Sequence, residues 1–120
     1  MMNKINLLFA KNVIGRKAAE QELSFLMWVE NLAFDKHVDV AWAGEDGVWH
    51  TLAATYHSRI DQDRECWFAR ATFSLATAAP LPGNVEFALR YRVLGKEYWD
   101  NHHGSNHAIQ ADSGILVADR

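Results

Sequence analysis

The sequence is short of the residues that would tie it to several large function classes. It holds one cysteine, Cys66, in 120 residues. That excludes an internal disulfide and any multi-cysteine zinc site. A lone thiol fits a reducing compartment, so a cytoplasmic location is expected. Lys and Arg number 12 against 15 Asp and Glu, for a net charge of −3. Without a basic excess there is no electrostatic footprint for nucleic acid and no polybasic anchor for a membrane surface. No run approaches the ~18 apolar residues that cross a bilayer. Residues 5–10 (Ile-Asn-Leu-Leu-Phe-Ala) are bounded by Lys4 and Lys11. They are shorter than the ~7–15 residues of a signal-peptide core, and are read as a first strand. Helix formers are scarce as well. Residues 16–23 are the only good helical window, and so short a helix does not stand alone. They are read as the connection between the first two strands, with room for one helical turn.

What is present is a two-residue rhythm. Apolar residues make up 49% of the chain, enough to build the core of one domain spanning residues 1–120. Leu23, Phe25, Met27 and Val29 alternate with Ser24, Leu26, Trp28 and Glu30. Val38, Val40 and Trp42 repeat the pattern. So do Trp67, Ala69, Ala71 and Phe73, and so do Val85, Phe87, Leu89, Tyr91 and Val93. Strict alternation marks half-buried strands. Turn signals separate them: Gly44-Glu45-Asp46-Gly47, Pro80-Leu81-Pro82-Gly83-Asn84 and Leu94-Gly95-Lys96. Residues 107–111 form a last short strand. Seven to eight strands at this spacing predict an all-β protein, an antiparallel β-sandwich.

The sequence offers little to an enzyme. Glu45, Asp46, Asp61 and Asp63 fall in turns and do not form the facing pair that glycoside hydrolysis needs. Cys66 sits beside Trp67 at a strand start, which suits a small packed residue better than an activated thiolate. There is no Gly-x-Gly-x-x-Gly phosphate cradle. His102, His103 and His107 crowd one segment, but only Asp100 stands near them as an acidic partner. They are read as polar surface, with no metal or cofactor.

Aromatic residues are abundant: five Trp, six Phe and three Tyr. Trp28, Trp42 and Trp67 are assigned to packing. Tyr98 and Trp99 are adjacent in a strand and must face opposite ways, so one ring points outward. Trp99 is followed by Asp100, Asn101 and Asn106. An exposed indole beside carboxamides suits a sugar, whose C–H face stacks on the ring while amides meet its hydroxyls. Packing of Trp99 under the last loop is the competing reading.

Residues 85–107, VEFALRYRVLGKEYWDNHHGSNH, resemble the signature of carbohydrate-binding module family 21, the starch- and glycogen-binding modules. Residues 29–40, VENLAFDKHVDV, resemble that family's V-x-Asn-x-x-aromatic-x-Lys-x-Val-x-Val block. Trp49 and the stretch Ala53-Ala54-Thr55-Tyr56 lie between them. The blocks keep the family's order over residues 23–111. The resemblance implies an immunoglobulin-like β-sandwich that binds α-1,4-glucans without catalysis. It implies a first site of Trp49 and Trp99 with Asn101 and Asn106, and a second of Phe34 and Tyr56 with Asn31 and Lys36. A glycogen-metabolising enzyme is an implied further partner.

The sequence departs from the family at Ala88, where the first site has a third aromatic. It departs again at His102 and His107, where Asn and Tyr are usual. An imidazole can still hydrogen-bond a hydroxyl, so the site is altered more than abolished. Asp100 is read as a brace for its loop. The nearest match to a phosphatase-docking Arg/Lys-Val-x-Phe motif, Arg92-Val93-Leu94-Gly95, lacks the Phe. These departures keep open an alternative: a protein-interaction or enzyme-targeting scaffold of the same fold with a degenerate sugar site.

Overall fold

β-Branched and aromatic residues with period-two burial favour strands, and ten strands form among the described residues: β1 (Ile5–Gly15), β2 (Glu20–Glu30), β3 (Lys36–Ala43), β4 (Trp49–Ala53), β5 (Thr55–Arg59), β6 (Arg64–Ser74), β7 (Val85–Val93), β8 (Lys96–Asp100), β9 (His107–Ile109) and β10 (Ser113–Leu116). The computed structural model describes residues 4–15, 20–74, 81–100 and 106–116. One sheet has the order β10-β1-β2-β6-β5. The other has the order β4-β3-β7-β8, with β9 also pairing β7. All pairings are antiparallel. The all-β sandwich expected from the alternation is therefore present. No helix occurs among the described residues, so none there is long and apolar enough to cross a membrane.

The strand count exceeds seven to eight for a physical reason. Only Ala54 separates β4 from β5. Its buried methyl and its N–H bond to the Val38 carbonyl carry the chain from one sheet to the other. The last stretch also divides: β9 stops at Ile109, and β10 returns to pair with β1. The window at residues 16–23 is corrected in part. Residues 20–23 are strand, paired with both β1 and β6, because Leu23 and Gln21 are fully buried there. Tertiary burial overrides local helix propensity. Residues 16–19 lie outside the described residues.

The core lies between the sheets. Leu23, Phe25, Met27 and Val29 of β2 face Phe87, Leu89 and Tyr91 of β7, all fully buried. The Phe25 and Phe87 rings meet at 4.8 Å. Trp42 is buried in this core, and Trp67 packs against it. Trp28 is different. It points away from Met27, onto the outer face of its sheet, where Arg64 lies 5.3 Å over its ring. A strand apolar on both faces does not announce which face is inside, and the packing of Met27 decides it. Cys66 is buried, and burial raises its thiol pKa, as suits a packed residue.

In β1 the inward positions change phase, from Ile5 and Leu7 to Ala10 and Asn12. A bulge at Leu8, between the Leu7 and Phe9 pairings, makes the change. Asn12 is thereby turned inward beside Gln21. Gln21 Nε2 donates to Asn12 Oδ1 at 2.6 Å and to the Gly83 carbonyl at 2.7 Å, while Gln21 Oε1 accepts the Gly83 N–H at 2.9 Å. Gly83 has φ +72, and a Cβ there would lie 2.5 Å from Glu45 Oε2. Both amides are fully buried, so each bond replaces lost water. Gln21→Leu keeps the volume and strands several buried polar atoms. It should lower unfolding free energy by about 2–4 kcal/mol, read as a lower urea midpoint. An unchanged midpoint would show that the network carries no stability.

Candidate functional site

The site begins with the register of β7. Phe87, Leu89 and Tyr91 point inward, so Glu86, Ala88, Arg90 and Arg92 point to the outer face. Register places Trp99 beside Arg90, and Arg90 beside Asp39. Tyr98, one residue earlier, packs on the core against Tyr91. Trp99 is therefore the outward ring, 46% exposed. On the far edge, His50 lies on the Trp42 side of β4, exposed and stacked on that ring at 4.5 Å. Its neighbour Trp49 faces out, 48% exposed. The two indoles share one face.

They do not share one sugar ring. β4 and β8 are the opposite ends of the order β4-β3-β7-β8. Trp49 pairs with Ala43 and hence with Glu86, whereas Trp99 pairs with Arg90. Strand geometry puts the Cα positions roughly 14 Å apart across the sheet and 13 Å along it. Ala88 lies midway and is buried, as is Asp39 beyond it. Where a third ring would bridge the gap, the floor is low.

Arg90 and Asp39 occupy the rest of that gap. Arg90 Nε and Nη2 donate to the two Asp39 carboxylate oxygens at 3.0 and 2.9 Å. Arg92 Nη2 adds a contact at 3.5 Å. The bidentate bond to Asp39 raises the pKa of Arg90 further and fixes its plane. Its guanidinium then lies 5.7 Å over the Trp99 ring, a cation–π contact that holds the indole upright. The sequence reading missed this pair. The signal available was an acid at an outward position of β3 and arginines at outward positions of β7.

The polar partners divide. Asn106 is exposed at the start of β9, while Asn101 and His102 lie outside the described residues. His107 is corrected. It faces inward, stacked on Phe87 at 5.0 Å, with Nε2 3.3 Å from Asp100 Oδ1. An imidazole spent on these contacts does not replace a tyrosine for sugar. Asp100 braces strands: its Oδ2 accepts the Leu7 N–H at 2.7 Å, joining β8 to β1 beside the bulge. Among the described residues no group of His, Cys, Asp and Glu could hold a metal ion.

Of the second set, Asn31 and Lys36 are in contact, and Tyr56 is linked to them through Trp67 and Glu65. Phe34, in the segment between β2 and β3, is 100% exposed. Tyr56 on β5 is 53% exposed, its ring 6.2 Å from Trp67 and edge-on to it. Lys36 is not the solvated charge its type suggests, since only 4% of its side chain is exposed. Its Nζ donates to Glu65 Oε1 at 3.1 Å and to Asn31 Oδ1 at 2.8 Å. Trp67 Nε1 donates to the same Glu65 oxygen at 3.2 Å. Lys36 thus acts by orientation: it takes up the Asn31 carbonyl oxygen and leaves the exposed amide Nδ2 as a donor.

The Asn31 N–H also donates to the Asp63 carbonyl at 2.7 Å, in the turn between β5 and β6. Asp61 in that turn accepts N–H bonds from Asp63 and Arg64 and pairs with the Arg64 side chain, which hold its pKa below the ordinary value. The Asp61 contribution is complete above the usual carboxylate range and is lost as the pH falls below it.

The chain belongs to the carbohydrate/starch-binding module family 21, whose model matches residues 3–110. Over 84 residues, 68% of this chain, it is 39% identical to protein phosphatase 1 regulatory subunit 3E of Mus musculus, covering 28% of that protein. Over 88 residues, 69% of this chain, it is 34% identical to glucoamylase 1 of Rhizopus oryzae, covering 13% of that protein. The chain therefore spans less than a third of the length of these relatives. The starch-binding domain of Rhizopus oryzae glucoamylase, solved with β-cyclodextrin and maltoheptaose, has the same fold. Its TM-score is 0.70 at 23% identity, over 92% of this chain and 95% of that one. The carbohydrate-binding module of the muscle glycogen-targeting subunit of protein phosphatase-1 gives a TM-score of 0.62 at 20% identity, over 92% of this chain and 78% of that one.

Removing Lys36 should expose its role. Lys36→Met leaves Glu65 without its cation and Asn31 without its anchor. Stability should fall by about 2–4 kcal/mol in urea denaturation. The conservative Lys36→Arg should recover part of it. Loss of nothing in either variant would mean that the ion pair is idle.

Proposed function

We propose that this chain is a non-catalytic module that holds α-1,4-glucans (starch, glycogen or maltodextrins) on two aromatic surfaces. Trp49 and Trp99 supply the first, with Asn106 and Asn101 as polar partners. Phe34 and Tyr56 supply the second, with the Asn31 amide as donor and Lys36 behind it. Membership of family 21 supports the ligand class. The observation that carries the reading is Trp99 itself: it is outward, half exposed and braced by Arg90, while its neighbour Tyr98 enters the core.

A flat indole presented edge-fixed to water suits the C–H face of a glucose ring, burying apolar area while the hydroxyls stay hydrated. Such sites gain modestly, because each sugar hydroxyl exchanges a water bond for a protein bond. A single-site Kd of roughly 10 μM to 1 mM is expected. Because the low floor at Ala88 separates Trp49 from Trp99, one glucose cannot engage both, and a chain of several residues is required. Two surfaces add avidity on a branched polymer. The module works in the cytoplasm, where a free Cys66 stays reduced.

The similarity to phosphatase regulatory subunits is consistent with a second reading, an enzyme-targeting scaffold with a sugar face weakened by the inward His107. Mobility in a native gel separates the two, since soluble starch retards a glucan binder and leaves a pure scaffold unchanged. Trp99→Ala should weaken glycogen retention about tenfold or more, with the thermal unfolding midpoint preserved because the ring is outside the core. Unchanged retention would remove Trp99 from the site.

A further inference from the structure

A groove of ≈ 700 Å³ lies at the foot of the second sheet, within the usual range for ligand sites. The turn at Gly44 to Gly47 forms one wall, and β9 with Ser113 and Gly114 of β10 forms the other. Val85 and Ile109, both core residues with 2% exposure, form its floor, Ile115 adds an apolar patch, and Asn84, Glu86 and Gln110 supply polar groups. None of its lining residues is cationic among the described residues, which disfavours a phosphate or any other anion. Apolar patches framed by amides, a hydroxyl and carboxylates suit a neutral polyhydroxyl ligand, because amides both donate and accept while carboxylates accept.

The position of the groove adds a second, independent argument. Trp49, Ala43, Glu86 and Ala108 form one register row across the outer face. Ala43, Glu86 and Ala108 also line the groove. It therefore begins where the Trp49 plate ends, on the side away from Trp99. Its walls are preorganised. The Glu45 N–H donates to the Pro82 carbonyl, Glu45 Oε2 accepts the Asn84 N–H, and Asn84 Oδ1 accepts the Ala111 N–H, each at 2.9 Å. A Cβ at Gly44 would stand 2.8 Å from the Pro82 oxygen, so wall and loop are in close contact. A ligand entering such a site loses little to ordering of the protein.

We infer that this groove is an extension subsite, which takes the glucose units of an α-glucan chain beyond those stacked on Trp49. The inference rests on the glucan-binding reading above. Glu86 and Gln110 face the hydroxyls, and the Ala43–Ala108 row forms the passage from the indole.

Calorimetric titration with maltotriose and maltoheptaose tests it, on the unaltered chain and on Ala108→Trp and Glu86→Gln. Ala108 and Glu86 are exposed, so neither change enters the core. The unaltered chain should bind the heptaose about tenfold tighter than the triose. Ala108→Trp fills the passage and should cut the heptaose advantage about threefold or more, leaving triose affinity as it was; what remains is the gain from spanning Trp49 and Trp99. Glu86→Gln should lose part of the gain, and it decides the question if the Trp variant does not fold. A gain that survives undiminished in every folded variant overturns the groove alone, and equal affinity for both sugars in the unaltered chain overturns the groove together with the spanning of Trp49 and Trp99. Failure of the unaltered chain to bind either sugar overturns the glucan reading itself.

Discussion

The pairing of β7 with its neighbours governs nearly everything that follows from this fold. On one edge β7 is bonded to β3 from Glu86 to Val93; on the other it is shared by β8 and β9. Phe87, Leu89 and Tyr91 anchor it to the opposite sheet, and the Tyr91 hydroxyl donates to the Glu30 carbonyl at 2.6 Å. Those inward contacts commit the alternate residues to the outer face. A slip by one residue would bury Arg90 and expose Phe87, so the register is strongly specified. The orientation of Trp99 is thus a consequence of core packing several ångströms away.

Around that frame the molecule uses buried polar groups as locators. Asp39 with Arg90, Lys36 with Glu65, and Asn12 with Gln21 and Gly83 are three instances. Buried ion pairs contribute little net stability compared with apolar packing, while removal of one partner is costly. Their effect here is geometric. Each joins a surface feature to the framework: an indole, an exposed amide, and the loop that walls the groove. Binding surfaces on a rigid sandwich need this kind of support, since a floppy aromatic plate would lose entropy on meeting a sugar.

Much of the architecture was legible because burial follows alternation. The run in β7 marked its inward face, and the Tyr98–Trp99 step required one ring outside. The helix-like letters at residues 20–23 misled because propensity is local while the burial of Leu23 is tertiary. Trp28 was placed inside because its strand is apolar on both faces. His107 was taken for a surface group because nothing in its neighbours along the chain reveals that Phe87 and Asp100 await it. The burial of Lys36 is hidden for the same reason: Glu65 lies far along the chain, on the other sheet.

By itself the sequence determined the class of fold, the alternation of the principal strands, the need for one of Tyr98 and Trp99 to face outward and the family to which its motifs belong. These are properties of short windows, where a period of two and the chemistry of a few neighbouring side chains suffice. Only the tertiary structure decided how far apart Trp49 and Trp99 stand, which polar groups are spent inside, and that a groove opens next to Trp49. Such features arise where strands distant in the chain come together, and their geometry depends on inter-sheet contacts that no local pattern encodes.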